Sequence, residues 1–255
     1  MPGKIEIIIL KNPSAVSETA AKRFLEIAKE SISRKGSFLV ALAGGKTPQA
    51  LYLMLSQQPF ASELNWKQVH LFWSDERFVP YEDAESNFGM TQKIFISCCQ
   101  IPKSNVHPVI TTDIEIEKSA QQYTNEINKL SGQHVPKFDL ILLGIGADGH
   151  TASIFPNSSE TVVPSNDLIT IVKDSPKSPR IRLTFTYKLI NQAQNVIFLV
   201  TGKDKSRALL QVIEGPIDHA RLPAQGVNPL HGNLTWILDQ EAASLLTKKT
   251  NSTPR

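Results

Sequence analysis

The chain has 255 residues, with 27 Lys and Arg against 24 Asp and Glu and a formal net charge of +3. The basic residues are scattered, which is poor support for the concentrated electrostatic footprint of a nucleic-acid-binding protein, and a few cations converging on one small anion fit equally well. No apolar stretch approaches the ~18 residues of a membrane span, and the amino terminus has no charged segment followed by a signal core, so a soluble, cytoplasmic protein is expected.

In chain order, apolar runs at 5–10, 38–42, 69–73, 140–143, 168–172 and 196–200 predict strands, and residues 14–34, 48–57, 86–98, 115–130 and 204–213 predict helices. In the first helix Phe24, Leu25, Ala28 and Ile32 fall on one face at helical spacing. Strand and helix alternate, which predicts an α/β fold whose mainly parallel sheet is flanked by helices on both faces. Runs at 181–185 and 233–238 either extend that sheet or form a small additional β region. Length alone admits one domain or two, but no linker divides the chain, and the polar stretch 173–180 is short enough for a surface loop. A single domain over 1–246 is expected, followed by a charged, polar and disordered tail at 247–255. Cys98 and Cys99 are adjacent, whereas a disulfide needs α-carbons typically ~5.5 Å apart. Two thiols without clustered partners make no zinc site, so burial at a helix end is expected.

Charged or glycine-rich segments follow four of the strands. After the first, Gly44, Gly45, Lys46, Thr47 and Pro48 predict a helix start with Thr47 as cap and Pro48 at the first position, an arrangement that offers amides to an anion. The alternative is a tight turn with no ligand. The Walker pattern fails because Val40 stands where its first glycine is required. After 69–73 come Asp75, Glu76 and Arg77. Glu76 is expected to face solvent, and Arg77 either pairs with Asp75 or offers its planar donor fork to a phosphate. After 196–200, Lys203 and Lys205 are either surface charges or part of an anion clamp. Arg180 is a further candidate.

The segment 138–156, FDLILLGIGADGHTASIFP, is the most informative. A continuous apolar run suits a strand buried on both faces of a parallel sheet, and ligands bind beyond the carboxyl ends of such strands. Gly144, Gly146 and Gly149 match GxGxxG, but that fingerprint needs a long helix next and an acidic residue about 20 residues on. Pro156 and the polar residues after it stop a helix, and Asp167 precedes its apolar run. His150 either orders the loop or moves protons near neutrality, with Asp148 close enough in sequence to orient it. The 6 histidines are dispersed, with no i, i+4 pair for zinc, and Ser153 lacks the flanking glycines of a hydrolase elbow.

AGGKTP, SDERFVP with the following SN, GIGADGHTASIFP, PRIRLT, TGKDKSRAL and PAQGV occur in an order and at a spacing similar to those of the 6-phosphogluconolactonases. The resemblance covers nearly the whole chain. DGHTASIFP separates it from the glucosamine-6-phosphate deaminases, whose loop reads like GHIAFNEP, although the deaminase/isomerase-type Rossmann-like fold is shared. It implies hydrolysis of 6-phospho-D-glucono-1,5-lactone to 6-phosphogluconate, the second step of the oxidative pentose phosphate pathway, without metal or organic cofactor, by a protein expected to act as a monomer. Its implied general acid/base is His150, with Asp148 and Asp75 shaping the polar site. Its phosphate-binding elements fall on Gly44, Gly45, Thr47, Arg77 and Lys205. Lys46 stands where many relatives have serine, Ala147 where proline is common, and Asn157 where glycine is frequent. A deaminase or isomerase on the same scaffold needs a carboxylate base that this loop lacks; a non-catalytic sugar-phosphate sensor would not need His150.

Overall fold

The computed structural model describes residues 4–131, 136–162 and 166–247; of the expected tail, 248–255 lie outside them. In chain order the first elements are β1 (Ile5–Leu10), α1 (Pro13–Lys35), β2 (Phe38–Leu42), α2 (Lys46–Leu55), β3 (Val69–Trp73), β4 (Asp75–Arg77), α3 (Asn87–Ile94) and α4 (Ile116–Ser131). They are followed by β5 (Leu140–Leu143), α5 (Ser159–Val162), β6 (Ile169–Val172), β7 (Arg182–Phe185), α6 (Tyr187–Ile190), β8 (Asn195–Val200), α7 (Ser206–Glu214) and β9 (Asn233–Asp239).

Six strands form one parallel sheet in the order β1-β9-β8-β5-β2-β3. Side chains alternate across it. Leu39, Ala41, Ile141, Leu143 and Phe198 enter one core with Tyr123, Ile127 and Leu209 of α4 and α7, while Val40, Leu42, Leu71, Leu140 and Leu142 enter the other with Phe24, Leu51 and Tyr52 of α1 and α2. Both faces are covered, so these strands read as continuous apolar runs, and each fully buried large side chain contributes about 1.5–3 kcal/mol.

Helix α1 shows how local chemistry sets the boundaries. The Asn12 side chain accepts from the Ala15 amide at 2.9 Å, Pro13 takes the first turn, and Gly36 closes the helix at φ 79. Left-handed backbone of that kind favours glycine at a helix end.

Several expectations need correcting. The run at 168–172 does not join the parallel sheet; as β6 it forms a small antiparallel sheet in the order β4-β7-β6. The run at 233–238 needs no correction: it extends the main sheet, one of the two outcomes expected, as β9 between β1 and β8. Helix α2 is capped by Gly45 at φ 101, with no side-chain cap bond, so Thr47 lies inside the helix. Cys98 is exposed and Cys99 only half-buried. No described helix is long and apolar enough to cross a membrane.

The chain leaves β2 toward β3 and leaves β5 toward β8, in opposite directions across the sheet. A crevice at such a reversal, beyond the carboxyl ends of the strands, is where open α/β sheets bind ligands.

Candidate active site

A cavity of about 670 Å³ occupies that crevice. Its lining comes from the turn after β2, from β4, from the loop after β5, from the segment before β7 and from the end of β8. Two tyrosines fix the strand ends beside it. The Tyr52 phenol accepts from the Ala43 amide at 2.9 Å and donates to the Ala43 carbonyl at 2.8 Å, while Tyr123 binds the Trp73 amide at 2.7 Å and its carbonyl at 2.9 Å. Burial pushes both phenols far above their ordinary range.

The turn after β2 presents Gly44, Gly45, Lys46 and Thr47 to the cavity at the amino terminus of α2. A β-carbon on Gly44 would collide with the Asn87 side chain. Thr47 Oγ1 lies 2.7 Å from Thr201 Oγ1, joining this helix start to the segment after β8. There, the Asp239 carboxylate accepts from the Gly202 amide at 3.1 Å, and Lys205, a lining residue, pairs with Asp204 at 2.9 Å.

Strand β4 is charged throughout and exists because it pairs with β7. Its two-residue period sends Asp75 and Arg77 to the cavity. Asp75 is buried and accepts from Ser153 Oγ at 2.7 Å. Arg77 donates to the Glu85 carbonyl at 2.6 Å and lies 3.3 Å from the Glu85 carboxylate. Glu76 does not face solvent. It is fully buried and caps α3, accepting from the Asn87, Phe88 and Arg77 amides at 2.7–2.8 Å. Burial raises its carboxyl to about 7, against the pull of those amides.

The loop after β5 is tied at several points. The Gly146 amide donates to the His150 carbonyl at 2.9 Å, and Thr151 Oγ1 to the Gly144 carbonyl at 2.9 Å. From outside, the Ala224 amide donates to the Gly149 carbonyl at 3.0 Å, so the PAQGV motif backs this loop. A β-carbon at Gly146 would collide with both the His150 ring and the Asp148 carboxylate, so only glycine allows their approach. Asn157, where glycine is frequent among relatives, has φ 57, which asparagine also tolerates.

His150 lines the cavity, and its Nδ1 makes a short contact with Asp148 Oδ1. Its ring lies against Phe155, with centroids 4.7 Å apart. Burial alone would raise the Asp148 carboxyl, but the hydrogen bond and charge of His150, with Lys177, hold it well below the ordinary aspartate range. Asp148 therefore stands behind the imidazole rather than in the cavity wall, and Nε2 is the ring nitrogen left to do chemistry.

The expected residues Asp75, His150, Gly44, Gly45, Lys46, Thr47, Arg77 and Lys205 all line this one cavity. Arg180 does not; it is exposed, and Arg182 lines the cavity instead. Lys177, Arg182, Asn87, Glu85 and Asp204 were missed by sequence reasoning. The RIRLT segment offered a signal for Arg182, because it opens an apolar-alternating run. His107, which is buried, lies outside the cavity, stacked on Phe72 at 4.5 Å with Nε2 3.1 Å from His70 and Nδ1 3.0 Å from Glu126. Among the described residues, no group of three or more His, Cys, Asp or Glu is placed to hold a metal ion.

Residues 11–236 match the family model described as glucosamine-6-phosphate isomerases/6-phosphogluconolactonase. A 6-phosphogluconolactonase of Synechocystis is 38% identical over 244 residues, covering 94% of this chain and 98% of that protein. The solved 6-phosphogluconolactonase from Trypanosoma cruzi superposes with a TM-score of 0.84 at 32% identity, covering 97% of this chain and 99% of the other. That from Thermotoga maritima gives 0.80 at 32% identity, covering 92% and 100%.

Proposed function

The chain belongs to the glucosamine-6-phosphate isomerase/6-phosphogluconolactonase family, and from that membership we propose how its cavity carries out the family's lactone chemistry. It is an enzyme, a hydrolase that opens 6-phospho-D-glucono-1,5-lactone to 6-phosphogluconate in the oxidative pentose phosphate pathway. The observation that supports the assignment of roles is the shared cavity: an imidazole backed by a carboxylate faces the same space as Lys46, Arg77 and Lys205. Its volume suits a ligand of this size.

The phosphate sits among the amides of Gly44, Gly45 and Thr47 and the cations Arg77 and Lys205, where a helix amino terminus adds its partial positive charge. This grip places the lactone carbonyl at His150. Nε2 takes a proton from water as the water oxygen bonds to the carbonyl carbon, and the carbonyl π pair moves onto its oxygen. Asp148, holding Nδ1–H, stabilises the imidazolium. When the tetrahedral intermediate collapses, the carbonyl re-forms, the bond from that carbon to the ring oxygen breaks, and Nε2 returns its proton to the departing oxygen. One water is consumed, and the new acid loses its proton to solvent. Asp75, held by Ser153, orients the sugar hydroxyls. That these residues meet within a single chain supports a site that works in a monomer.

Freshly made lactone, followed by acid release above its spontaneous opening, tests this reading. Acceleration by the parent and its loss in His150→Ala are expected. Ammonia release from glucosamine 6-phosphate, or binding without turnover, would replace it with a deaminase or a sensor.

A further inference from the structure

The lactonase cycle creates a negative oxygen on the lactone carbonyl, and a developing charge of that kind needs a donor 2.7–3.1 Å away. The cations lining the cavity are Lys46, Arg77, Lys177, Arg182 and Lys205. Arg77 is held by Glu85 and Lys205 by Asp204. Lys177 lines the cavity beside the His150–Asp148 pair, on the Nδ1 side of the ring, with Nζ 3.4 Å from His150 Nδ1 and a looser pairing of 3.7 Å to Asp148 Oδ2. A nitrogen that donates its proton to Asp148 cannot also accept one from lysine, so among the described residues the Lys177 charge is paired with the Asp148 carboxylate.

Lys177 is placed there by Arg182. The buried guanidinium donates from Nε to the Pro179 carbonyl at 2.9 Å and from Nη2 to the Lys177 and Ser178 carbonyls at 3.1 and 3.4 Å. Three carbonyls of one loop are thereby fixed to β7, and the Lys177 backbone is among them.

We propose that Lys177 is the oxyanion-stabilising residue of the lactone hydrolysis, held over the His150–Asp148 pair by the Arg182 clamp on its loop. This rests on the lactonase reading above. Charge balance supports it. Before reaction Asp148 faces both the imidazole and the Lys177 ammonium. Once His150 has taken the proton from water, the imidazolium satisfies Asp148, and the ammonium on its flexible four-carbon stem is released to the alkoxide. The lysine contact is therefore stronger in the transition state than in the ground state, which is the condition for raising kcat. Arg182 is a positioning residue in this scheme.

The test measures kcat and KM for the parent, Lys177→Met and Lys177→Arg, with lactone opening corrected for its spontaneous rate. The Lys177 side chain is 49% exposed, so folding is not at stake, and a thermal melt verifies it. Lys177→Met should lower kcat about a hundredfold, with KM and the affinity for inorganic phosphate nearly unchanged, and Lys177→Arg should recover much of the loss. In an Arg182→Lys background, Lys177→Met should cost far less than in the parent. A fall in kcat smaller than about tenfold, or a rise in KM alone, overturns the proposal. Failure of the underlying reading looks different: the parent itself would not accelerate lactone opening, or His150→Ala would match it.

Discussion

Arg77 and Arg182 stand directly opposite each other in the antiparallel register of β4 and β7, and both line the cavity. Like charges so placed destabilise a strand pair. Burial, together with the Arg77 charge, lowers the Arg182 guanidinium below its usual value, while Asp75 pulls the other way. An anion held in the cavity at Arg77 would relieve this repulsion. Inorganic phosphate at a hundredfold excess over its Kd should therefore add about 2.7 kcal/mol to the unfolding free energy, measured by denaturant titration. In Arg77→Ala the increment should shrink sharply. A parent whose stability ignores phosphate would refute the anion site.

Arg77→Ala should act on substrate as it acts on phosphate. KM is expected to rise about tenfold or more while kcat changes little, because the contact is made equally before and during reaction. A variant with normal KM and reduced kcat would move Arg77 from binding to chemistry.

Asp148→Asn separates orientation from proton transfer. The amide leaves the ring in place but neither stabilises the imidazolium nor fixes its tautomer, so kcat should drop by about 10²–10⁴, the range of general acid/base effects. KM should stay close to that of the parent. Comparable turnover in the two proteins would show that His150 works without its partner.

Tyr123→Phe deletes one oxygen and strands both the amide and the carbonyl of buried Trp73. Each orphaned group costs about 1–3 kcal/mol. Because Asp75 lies two residues beyond Trp73, kcat should fall along with stability. Chemical denaturation and steady-state kinetics on one preparation would check both, and an unaltered midpoint would rule out the latch.

The His70–His107–Glu126 cluster gives a dependence on acid. Burial lowers both histidines from their ordinary value, with the His107 charge adding to the effect at His70 and Glu126 opposing it at His107. The unfolded chain then binds protons more readily than the folded one. Stability from this source is present above about pH 6.5 and is lost as pH falls through the lower folded values. His107→Phe keeps the stack on Phe72 and should flatten the pH–stability curve over that window, as followed by denaturant midpoints at several pH values.

The main sheet was legible because strands such as β2 and β5, buried on both faces, leave an unbroken apolar run. Strand β4 was not, since Asp75, Glu76 and Arg77 carry no apolar signal and become a strand only by pairing with β7. Distance in sequence also hid Glu76: two of its three amide partners, Asn87 and Phe88, open α3. Run 168–172 misled because a short apolar segment looks alike in a parallel and an antiparallel sheet. His150 was readable from glycines that a close approach requires, of which Gly146 is the clearest. Arg182 was passed over for Arg180 because the register of β7, unseen in sequence, decides which arginine turns inward.

Strand β9 lies between β1 and β8, so among the described residues Ile5–Leu10 pairs only with the segment that ends at Asp239. As the chain leaves the ribosome, this strand has no neighbour in the sheet until Asn233–Asp239 has been made, and closing so long a loop is entropically slow. Asp239 also holds the Gly202 amide beside Lys205. A nascent chain halted short of that aspartate would lack both the seam between β1 and β8 and the support of Gly202 beside Lys205, so catalytic competence waits for this one strand.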